Sequence, residues 1–423
     1  MNLDINYIRE QFPALEQTVE GEPAAFFDGP GGTQVPQKVI DAMENYLVKS
    51  NANKGGPFLT SRRSDEKIKQ ARKALGDFLN CNAEEVAFGE NMTTLNYRLA
   101  FALSKKLEEG DEIIITELDH EANRQPWLDL REQGVVVKEV EVDPATCTLN
   151  HQDFADKLCN KTEVVAITHA SNAVGTIPPV KKMIRAAQKV DAITVIDAVH
   201  YALHGPIDVK ELDCDFLLCS TYKFFGPHLG VIYGKKSSFQ QIKPYRLRPQ
   251  SPDIPYRIER GTTNHEGIAG AKAAVEFIAD LGREFASADD ESGDNDGVEE
   301  GGDKRRENVV AAMELIDEYE SPLAEKIAEE ISQLEDTRVY RPPATVPCTS
   351  TVSFAVEGQS PREIARKLGD RGFFVWEGDF YATTLVERLG EADSGGLVRI
   401  GLAPYNTEEE VEQLLDNIKD ILG

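Results

Sequence analysis

The sequence contains few cysteines, no paired ones, and no long apolar run. Its six cysteines are scattered without a CxxC pair, which disfavours a structural zinc site and a disulfide framework; they are Cys81, Cys147, Cys159, Cys214, Cys219 and Cys348. Scattered thiols favour a reducing compartment, so we expect a cytoplasmic protein. No run approaches the roughly 18 apolar residues of a membrane-spanning helix, and the first residues lack the pattern of a secretion signal. We therefore expect no membrane association.

Basic residues are outnumbered by acidic ones. The 423 residues include 46 Lys and Arg against 73 Asp and Glu, which gives a net charge of −27. A nucleic acid or an anionic membrane would repel such a chain, so neither is an expected partner. A chain of this length exceeds the size at which one hydrophobic core keeps growing, which predicts two domains.

Short apolar runs alternate with longer amphipathic stretches between residues 26 and 232. The apolar runs predict strands at Val86–Phe88, Glu112–Thr116, Val135–Val140, Val164–Thr168, Thr194–Asp197, Phe216–Cys219 and Gly230–Tyr233. Helices are predicted between them at Asp65–Leu79, Thr94–Lys106, Arg124–Glu132 and Val180–Lys189. This alternation predicts an α/β fold with a mostly parallel seven-stranded sheet flanked by helices. Right-handed crossovers then bring the carboxyl ends of the strands to the edge where ligands bind.

The pattern changes after residue 267. We predict a large domain over residues 26–267 and a smaller α+β domain formed by residues 1–25 and 268–423. The smaller domain has predicted helices at Ile268–Gly282, Glu307–Leu334, Pro361–Arg371 and Thr407–Leu422, and strands at Thr351–Val356 and Leu397–Leu402. Residues 286–303 are rich in acids and nearly devoid of apolar side chains, which predicts a disordered insertion.

An acid and a lysine follow two of the predicted strands. Asp197 ends one buried strand, and Lys223 follows another, beside the turn at Gly226 and Pro227. A pyridoxal-phosphate (PLP) site needs such a pair. The lysine forms a Schiff base after losing its proton, and the carboxylate keeps the pyridine nitrogen protonated. The plainer interpretation makes Asp197 a helix cap and Lys223 a surface lysine, but the neighbouring motifs favour a PLP site.

Donors suited to a phosphate open one predicted helix. Thr93 and Thr94 follow a strand and begin the stretch TTLNYRLAFAL, so that free amides and two hydroxyls form an anion cradle. Ser220, three residues before Lys223, adds a second phosphate contact. A plain threonine N-cap is the simpler interpretation of the helix start taken alone.

Three histidines and three glycines suggest further chemistry. His120 follows the strand EIIIT, where an imidazole stacks on a pyridine ring or is an ordinary loop residue. His200 and His204 have the HxxxH spacing of a zinc pair, but no third ligand is evident, so we expect no metal. The glycines at 29, 31 and 32 do not form GxGxxG, which gives little support to an NAD-linked oxidoreductase.

Ordered motifs along the chain resemble the class V aminotransferase superfamily, which has PLP fold type I. The motifs are FFDGPGGTQVP, ENMTTLN, LDHEANRQPW, THASNAVGTIPP, the segment from Asp197 to Lys223, RIERGTTNHEGIAG and VRIGLAPYNT. Within the superfamily the chain is similar to cysteine desulfurases and to isopenicillin N epimerase-like proteins.

The resemblance implies a role for each matching residue. It makes Lys223 the Schiff-base lysine, Asp197 the partner of the pyridine nitrogen and His120 the residue stacked on the ring. It makes Thr93, Thr94 and Ser220 phosphate ligands, and it places Asn172 and His200 near the ring hydroxyl. Thr262 resembles a phosphate contact from a neighbouring subunit, which implies a homodimer, and Arg399 resembles the clamp for the substrate carboxylate.

The chain departs from the desulfurase pattern in one loop. Related desulfurases carry R-x-G-H-H-C-A there, and their cysteine attacks the substrate sulfur and holds a persulfide. In this chain Trp376, Phe380 and Tyr381 stand at the arginine, second histidine and cysteine positions. A phenol, with a pKa near 10, has no comparable affinity for sulfur. Tyr381 or Asp379 is then a candidate acid or base, or the two aromatic residues simply pack the loop.

We therefore expect a PLP-dependent lyase or transferase that removes the Cα proton of a small amino acid through Lys223. Elimination of a β-substituent makes it a cysteine desulfurase-like C–S lyase, reprotonation an epimerase, and amino-group transfer an aminotransferase. The alternative from another class is a non-catalytic protein of the same fold that acts as a partner in sulfur or iron–sulfur metabolism.

Overall fold

The structure is a computed structural model that describes residues 3–286 and 302–423. The helices are α1 (Ile5–Arg9), α2 (Gln37–Lys49), α3 (Leu59–Leu79), α4 (Met92–Ser104), α5 (Glu121–Leu128), α6 (His151–Lys157), α7 (Val180–Gln188), α8 (Val209–Leu212), α9 (Lys236–Gln241), α10 (His265–Ala286), α11 (Gly302–Ser332), α12 (Pro361–Asp370), α13 (Thr383–Leu389) and α14 (Glu408–Leu422). The strands are β1 (Thr18–Val19), β2 (Glu22–Pro23), β3 (Ala25–Phe26), β4 (Val86–Gly89), β5 (Glu112–Thr116), β6 (Val136–Val140), β7 (Val142–Asp143), β8 (Thr148–Leu149), β9 (Thr162–Thr168), β10 (Ile193–Asp197), β11 (Phe216–Ser220), β12 (Gly230–Gly234), β13 (Thr337–Tyr340), β14 (Thr351–Val356), β15 (Phe373–Phe374), β16 (Trp376–Gly378) and β17 (Leu397–Gly401). The acidic segment 286–303, predicted to be a disordered insertion, lies outside the described residues except at its two ends.

The main sheet has seven strands in the order β4-β12-β11-β10-β9-β5-β6. The pairs β10–β9, β9–β5 and β5–β6 are parallel, whereas β12 runs antiparallel to both β11 and β4. The connection from β11 to β12 covers only residues 221–229. A parallel crossover needs a dozen or more residues, so the chain turns back antiparallel there. The predicted α/β fold with a mostly parallel seven-stranded sheet is confirmed.

The strands of this sheet are buried because their sequences are nearly continuous apolar runs. Every residue of β11 and β12 is buried, and β9 buries all its residues except Glu163. At the carboxyl ends of β9 and β10, Thr168 and Asp197 are partners in the parallel register. The sheet therefore presents polar groups at the edge where ligands bind in α/β folds.

A second sheet, of four antiparallel strands, has the order β13-β14-β17-β16. The sequence predicted β14 and β17 but not β13 and β16. The two missed strands have four and three residues, lie at the sheet edges and are partly exposed. Short edge strands bury too few side chains to show a clear apolar pattern.

The described residues divide into two compact units. Unit 1 comprises Met1–Pro13, Gln34–Ala102 and Ala202–Tyr319, and unit 2 comprises Ala14–Thr33, Leu103–Tyr201 and Glu320–Gly423. In unit 1 helix α10 packs on α2 and α3, and in unit 2 helix α5 packs on β5 and β9. The domains at 26–267 and at 1–25 with 268–423 stay a prediction. Among the described residues, no helix has both the length and the apolar character needed to cross a bilayer.

Candidate active site

The residues predicted for the site fall in both units. Unit 1 contains Thr93, Thr94, Ser220, Lys223 and Thr262, and unit 2 contains His120, Asn172, Asp197, His200, Tyr381 and Arg399.

A turn at Asn91 opens helix α4 in unit 1 and lies next to Ser220. The side-chain oxygen of Asn91 accepts hydrogen bonds from the Thr94 amide (2.8 Å) and hydroxyl (2.9 Å). The amide of Met92 donates to Ser220 Oγ (3.0 Å), and Thr93 is exposed in the first turn. Asn91 therefore caps the helix, in place of the threonine of the simpler interpretation. A helix N-terminus attracts anions, so this turn suits a phosphate.

Gly230 begins strand β12 beside the Asn91 turn. It is the register partner of Gly89 in β4 and of Ser220 in β11. A Cβ atom at position 230 would lie 2.6 Å from the carbonyl oxygen of Asn91, far inside van der Waals contact. Only glycine lets the strand approach the turn this closely.

Lys223 ends a short 3-10 turn that follows β11 and opens with Thr221. The Thr221 hydroxyl donates to the carbonyl of Pro227, which closes the loop behind the lysine. The Lys223 side chain is partly buried, and its Nζ lies 4.9 Å from the centroid of the Tyr222 ring. Because Ser220 both precedes this turn and accepts a hydrogen bond from Met92 of α4, the lysine turn and the start of α4 are fixed to each other.

Thr262 lies on an exposed segment of unit 1 that leads into α10. Glu259, three residues earlier, is buried and accepts hydrogen bonds from the Arg72 guanidinium (2.6 Å) and the Phe88 amide (2.9 Å). The Arg72 guanidinium also lies 5.1 Å from the Tyr256 ring centroid, within cation–π range. This buried pair anchors the segment and leaves Thr262 accessible.

Asp197 of unit 2 is buried at the end of β10 beside His169. Its carboxylate accepts a hydrogen bond from the Val199 amide (2.9 Å), and its carbonyl accepts one from the His169 amide (2.7 Å). The His169 imidazole stacks on the Tyr201 ring with a centroid separation of 3.7 Å. Burial lowers the pKa of His169 to about 3, so this imidazole is neutral at physiological pH. Sequence reasoning missed His169, although its position just after a strand end was a usable signal.

His200 is buried in unit 2 with its Nε2 3.1 Å from the Thr349 hydroxyl and 3.0 Å from the Thr351 hydroxyl. Nε2 of His200 is thus within hydrogen-bonding distance of two hydroxyls at the start of β14. Across the described ranges, no group of three or more His, Cys, Asp or Glu side chains is placed to hold a metal ion.

Asn172, Phe380 and Arg399 meet in unit 2. The amide nitrogen of Asn172 donates to the Phe380 carbonyl (2.9 Å), and Arg399 Nη1 donates to the Asn172 carbonyl (2.8 Å). The Phe380 ring covers the Arg399 guanidinium, with 4.2 Å between its centroid and Cζ. The predicted ring-hydroxyl and carboxylate ligands are therefore neighbours, and Phe380 joins them.

His120 and Tyr381 also meet in unit 2. His120 caps α5: its Nδ1 accepts the Ala122 amide (2.9 Å), so the neutral ring carries its proton on Nε2. The Tyr381 ring stacks on His120 with a centroid separation of 5.5 Å and an interplanar angle of 23°. The Tyr381 carbonyl accepts the Glu121 amide (2.7 Å), which ties the loop to the start of the helix.

Phe380 and Tyr381 both have left-handed backbones, each with φ of +57°. This conformation costs about 1–2 kcal/mol for a residue other than glycine. Asp379 holds it in place, because its carboxylate accepts the Tyr381 amide (3.0 Å) and the Thr383 hydroxyl (2.7 Å). Sequence patterns give no signal for backbone angles of this kind.

Comparison with known proteins agrees with the motifs. A model of the aminotransferase class-V family matches residues 25–295 and 310–414. The cysteine desulfurase of Synechococcus elongatus is 32% identical over 439 residues, which cover 100% of this chain and 64% of that protein. The cysteine desulfurase of Pectobacterium atrosepticum is 30% identical over 439 residues, which cover 100% and 98%. The apo structure of a cysteine desulfurase from Thermococcus onnurineus NA1 superposes with a TM-score of 0.86 at 26% identity, covering 100% of this chain and 98% of that one. The chain therefore belongs to the class V aminotransferase family of PLP-dependent enzymes, as its motifs predicted.

Proposed function

We propose that this chain is a desulfurase-like PLP enzyme that removes the Cα proton of a small amino acid and expels its β-substituent, as a C–S lyase does. The observation that carries the proposal is the hydrogen bond from the Met92 amide to Ser220 Oγ (3.0 Å). It joins the predicted phosphate-binding helix to the turn that ends in Lys223, and a PLP enzyme needs both groups on one molecule of cofactor.

Two further features support a fit between the chain and PLP. Asn172 Oδ1 is buried and has no hydrogen-bond partner among the described residues. A buried acceptor needs a donor, and the hydroxyl on the PLP ring is one. The exposed Thr93 at the start of α4 offers an amide and a hydroxyl to the cofactor phosphate.

In this proposal each residue binds the cofactor or the substrate, or moves a proton. Lys223 would carry the cofactor, and its amine would take the Cα proton. Asp197 would hold a proton on the pyridine nitrogen, and His120 would pack against the ring. The remaining ligands are Thr93, Thr94, Ser220 and a neighbouring subunit's Thr262 for phosphate, Asn172 and His200 for the ring hydroxyl, and Arg399 for the substrate carboxylate. PLP, when bound, supplies an electron-withdrawing ring that stabilises negative charge at Cα.

The state of the cysteines supports release of the β-substituent as a small molecule, in place of its transfer to a thiol of the protein. The resemblance puts Tyr381 where related desulfurases have their reactive cysteine. The cysteines of the chain are free thiols, and burial raises the pKa of Cys147 to about 12. Burial also raises the pKa of Cys81, Cys214 and Cys348. Such thiols are rarely thiolates near neutral pH, so they are poor sulfur acceptors.

The first test compares wild type with Lys223→Ala after both are prepared with PLP. Wild type should be yellow and Lys223→Ala colourless, because the coloured adduct needs the lysine amine. Lys236→Ala, which removes an exposed lysine of unit 1 paired with Glu84 (2.8 Å), is the matched control and should stay yellow. A wild type without the visible band would overturn the proposal.

The reaction type is decided by a screen of cysteine, cystine, selenocysteine, serine and alanine. Sulfide, pyruvate, keto acid and loss of optical activity are scored separately. The proposal expects sulfide and pyruvate together from cysteine. Racemisation alone indicates an epimerase, a keto acid that keeps the substrate carbon chain indicates an aminotransferase, and no turnover indicates a non-catalytic partner. Protein-bound persulfide would contradict the interpretation that Tyr381, at the position of the reactive cysteine, leaves the chain without a persulfide carrier.

We also propose that the chain forms a homodimer through unit 1. Of the 13 large hydrophobic side chains exposed within the described ranges, ten lie in unit 1. Five of them cluster in two segments and are called the apolar face: Phe58, Leu59, Tyr245, Leu247 and Tyr256. Large exposed apolar clusters mark interaction sites. A second copy fits this one, because the segment that carries Tyr245 and Leu247 leads to Thr262, the residue expected to reach a neighbouring subunit.

A cytoplasmic location is a further part of the proposal. All six cysteines are free thiols, and burial raises the pKa of several of them. A secreted protein of this kind would be exposed to oxidation, whereas reduced thiols persist in the cytoplasm.

A further inference from the structure

Exposed aromatic side chains of unit 2 are concentrated in one short segment. Within the described part of this unit, the aromatic residues exposed by more than a third are Trp376 (50%) and Tyr381 (71%). Phe380 lies between them in the chain and is half-buried. We call Trp376, Phe380 and Tyr381 the aromatic wall. Such a grouping of exposed aromatic surface marks a binding site.

The aromatic wall borders the residues proposed to hold the substrate and the cofactor. Trp376 of β16 is the direct antiparallel partner of Arg399 in β17. Phe380 covers the Arg399 guanidinium at 4.2 Å, and Tyr381 stacks on His120 at 5.5 Å. An amino acid whose carboxylate is bound by Arg399 therefore has aromatic faces beside its side chain.

The wall is held in place by polar contacts rather than left loose. The two consecutive left-handed residues point their side chains to different partners, Phe380 to Arg399 and Tyr381 to His120. Their carbonyls accept hydrogen bonds from Asn172 Nδ2 (2.9 Å) and the Glu121 amide (2.7 Å). A strained conformation that is fixed from several sides is typical of a binding site organised in advance.

The indole of Trp376 is also fixed, because it lies against Gly31. A Cβ atom at position 31 would lie 2.8 Å from Cδ1 of the indole. Glycine at this position leaves the space that the indole occupies, and the outer part of the ring stays exposed.

We propose that the aromatic wall determines substrate specificity, and that it selects amino acids with an extended apolar side chain, S-substituted cysteines among them. The proposal rests on the function proposed above. For such a substrate, RS–CH2–CH(NH3+)–COO−, the Cα proton leaves to Lys223 and the Cβ–S bond breaks with its electron pair on sulfur. With one water the products are RSH, pyruvate and ammonium. Aromatic faces favour thioether sulfur and aromatic groups over a hydroxyl or a bare methyl.

The test measures dissociation constants by calorimetry for alanine, serine, S-methylcysteine and S-benzylcysteine, on PLP-loaded protein whose lysine–cofactor linkage has been reduced with borohydride so that no amino acid is turned over. Wild type should bind S-benzylcysteine about ten-fold more tightly than serine, as expected for one or two good ring contacts. Trp376→Ala and Tyr381→Ala should each lose most of that preference while binding serine as before. Tyr381→Phe keeps the ring and should keep the preference, whatever it does to turnover.

Val136→Ala supplies the matched control, because Val136 is the other exposed large hydrophobic residue in the described part of unit 2. It should leave all four dissociation constants unchanged. Equal binding of serine and S-benzylcysteine by wild type, or an unchanged preference in Tyr381→Ala, would overturn the proposal. The reduced protein binds amino acids without turnover, so calorimetry tests the aromatic wall by itself. A missing visible band in wild type would count against the proposed function and not against the aromatic wall.

Discussion

At the scale of single residues, His169 shows how burial controls charge. Its pKa falls to about 3 in the folded chain, from an ordinary value of 6.5. Between these values the unfolded chain binds a proton that the folded chain does not, so the free energy of unfolding falls as pH drops below about 6.5. From pH 7.5 to pH 5 the loss from this residue should be about 2 kcal/mol. Urea unfolding at the two pH values measures it.

His169→Gln removes the titrating group, so the variant should lose less stability than wild type over the same interval. His151, an exposed histidine at the start of α6, gives the control. His151→Gln should still lose stability between the two pH values, because it keeps the buried His169. An acid-induced loss that is identical in wild type and His169→Gln would show that the buried imidazole is not the cause.

At the scale of elements, the start of β12 determines the shape of the Asn91 turn. Gly230→Ala puts a Cβ atom 2.6 Å from the carbonyl oxygen of Asn91, so the turn or the strand must move. The Met92 amide and Ser220 then lose their alignment, and we expect PLP affinity to fall at least ten-fold. Equilibrium dialysis of PLP against apo protein measures the change.

A second glycine separates this effect from a general response to alanine. Gly369 lies in helix α12, and a Cβ atom there has no neighbour within 4 Å. Gly369→Ala should leave PLP affinity unchanged and stabilise the fold by up to about 1 kcal/mol, because alanine favours a helix over glycine. Equal PLP affinity in Gly230→Ala and wild type would mean that the close approach does not shape the phosphate site.

At the scale of the whole molecule, the proposed dimer depends on apolar contact and on charge. Tyr245→Ala with Leu247→Ser removes two exposed side chains of the apolar face, and Tyr245 otherwise packs on Phe101 at 4.6 Å. The double variant should be monomeric at micromolar concentration where wild type is dimeric, by sedimentation velocity. The matched control is Ile40→Ser with Val48→Ala, two exposed residues of α2 in the same unit.

Each chain carries a net charge of −27, so two copies repel each other. Salt screens that repulsion, and the Debye length falls from about 30 Å at 0.01 M to about 10 Å at 0.1 M. Dimerisation of wild type should therefore strengthen as salt rises over this range. A wild type that sediments as a monomer at all salt concentrations would remove the homodimer from the proposal.

The local signals of the chain were enough for its family, its cofactor and its main sheet. Continuous apolar runs show strands that are buried on both faces, and β14 was predicted with the bounds that the structure has. Short motifs contain Lys223, Ser220 and Thr93, so each of these residues could be recognised from its neighbours in the sequence. Edge strands such as β13 and β16 were missed because partial exposure weakens the apolar pattern.

Only the tertiary structure decided how the Tyr381 loop meets the rest of unit 2. Phe380 bonds to a residue 208 positions away, and Arg399 bonds to one 227 positions away. The left-handed angles of Phe380 and Tyr381 are held by the neighbouring Asp379 and, at Phe380, by the distant Asn172, since neither residue adopts such angles by its own preference. The sequence by itself determined which chemical groups the chain carries and in what order, because periodicity and motifs are local. The side-chain faces that border Arg399 and His120 were decided by packing, because they depend on contacts that no short stretch of sequence encodes.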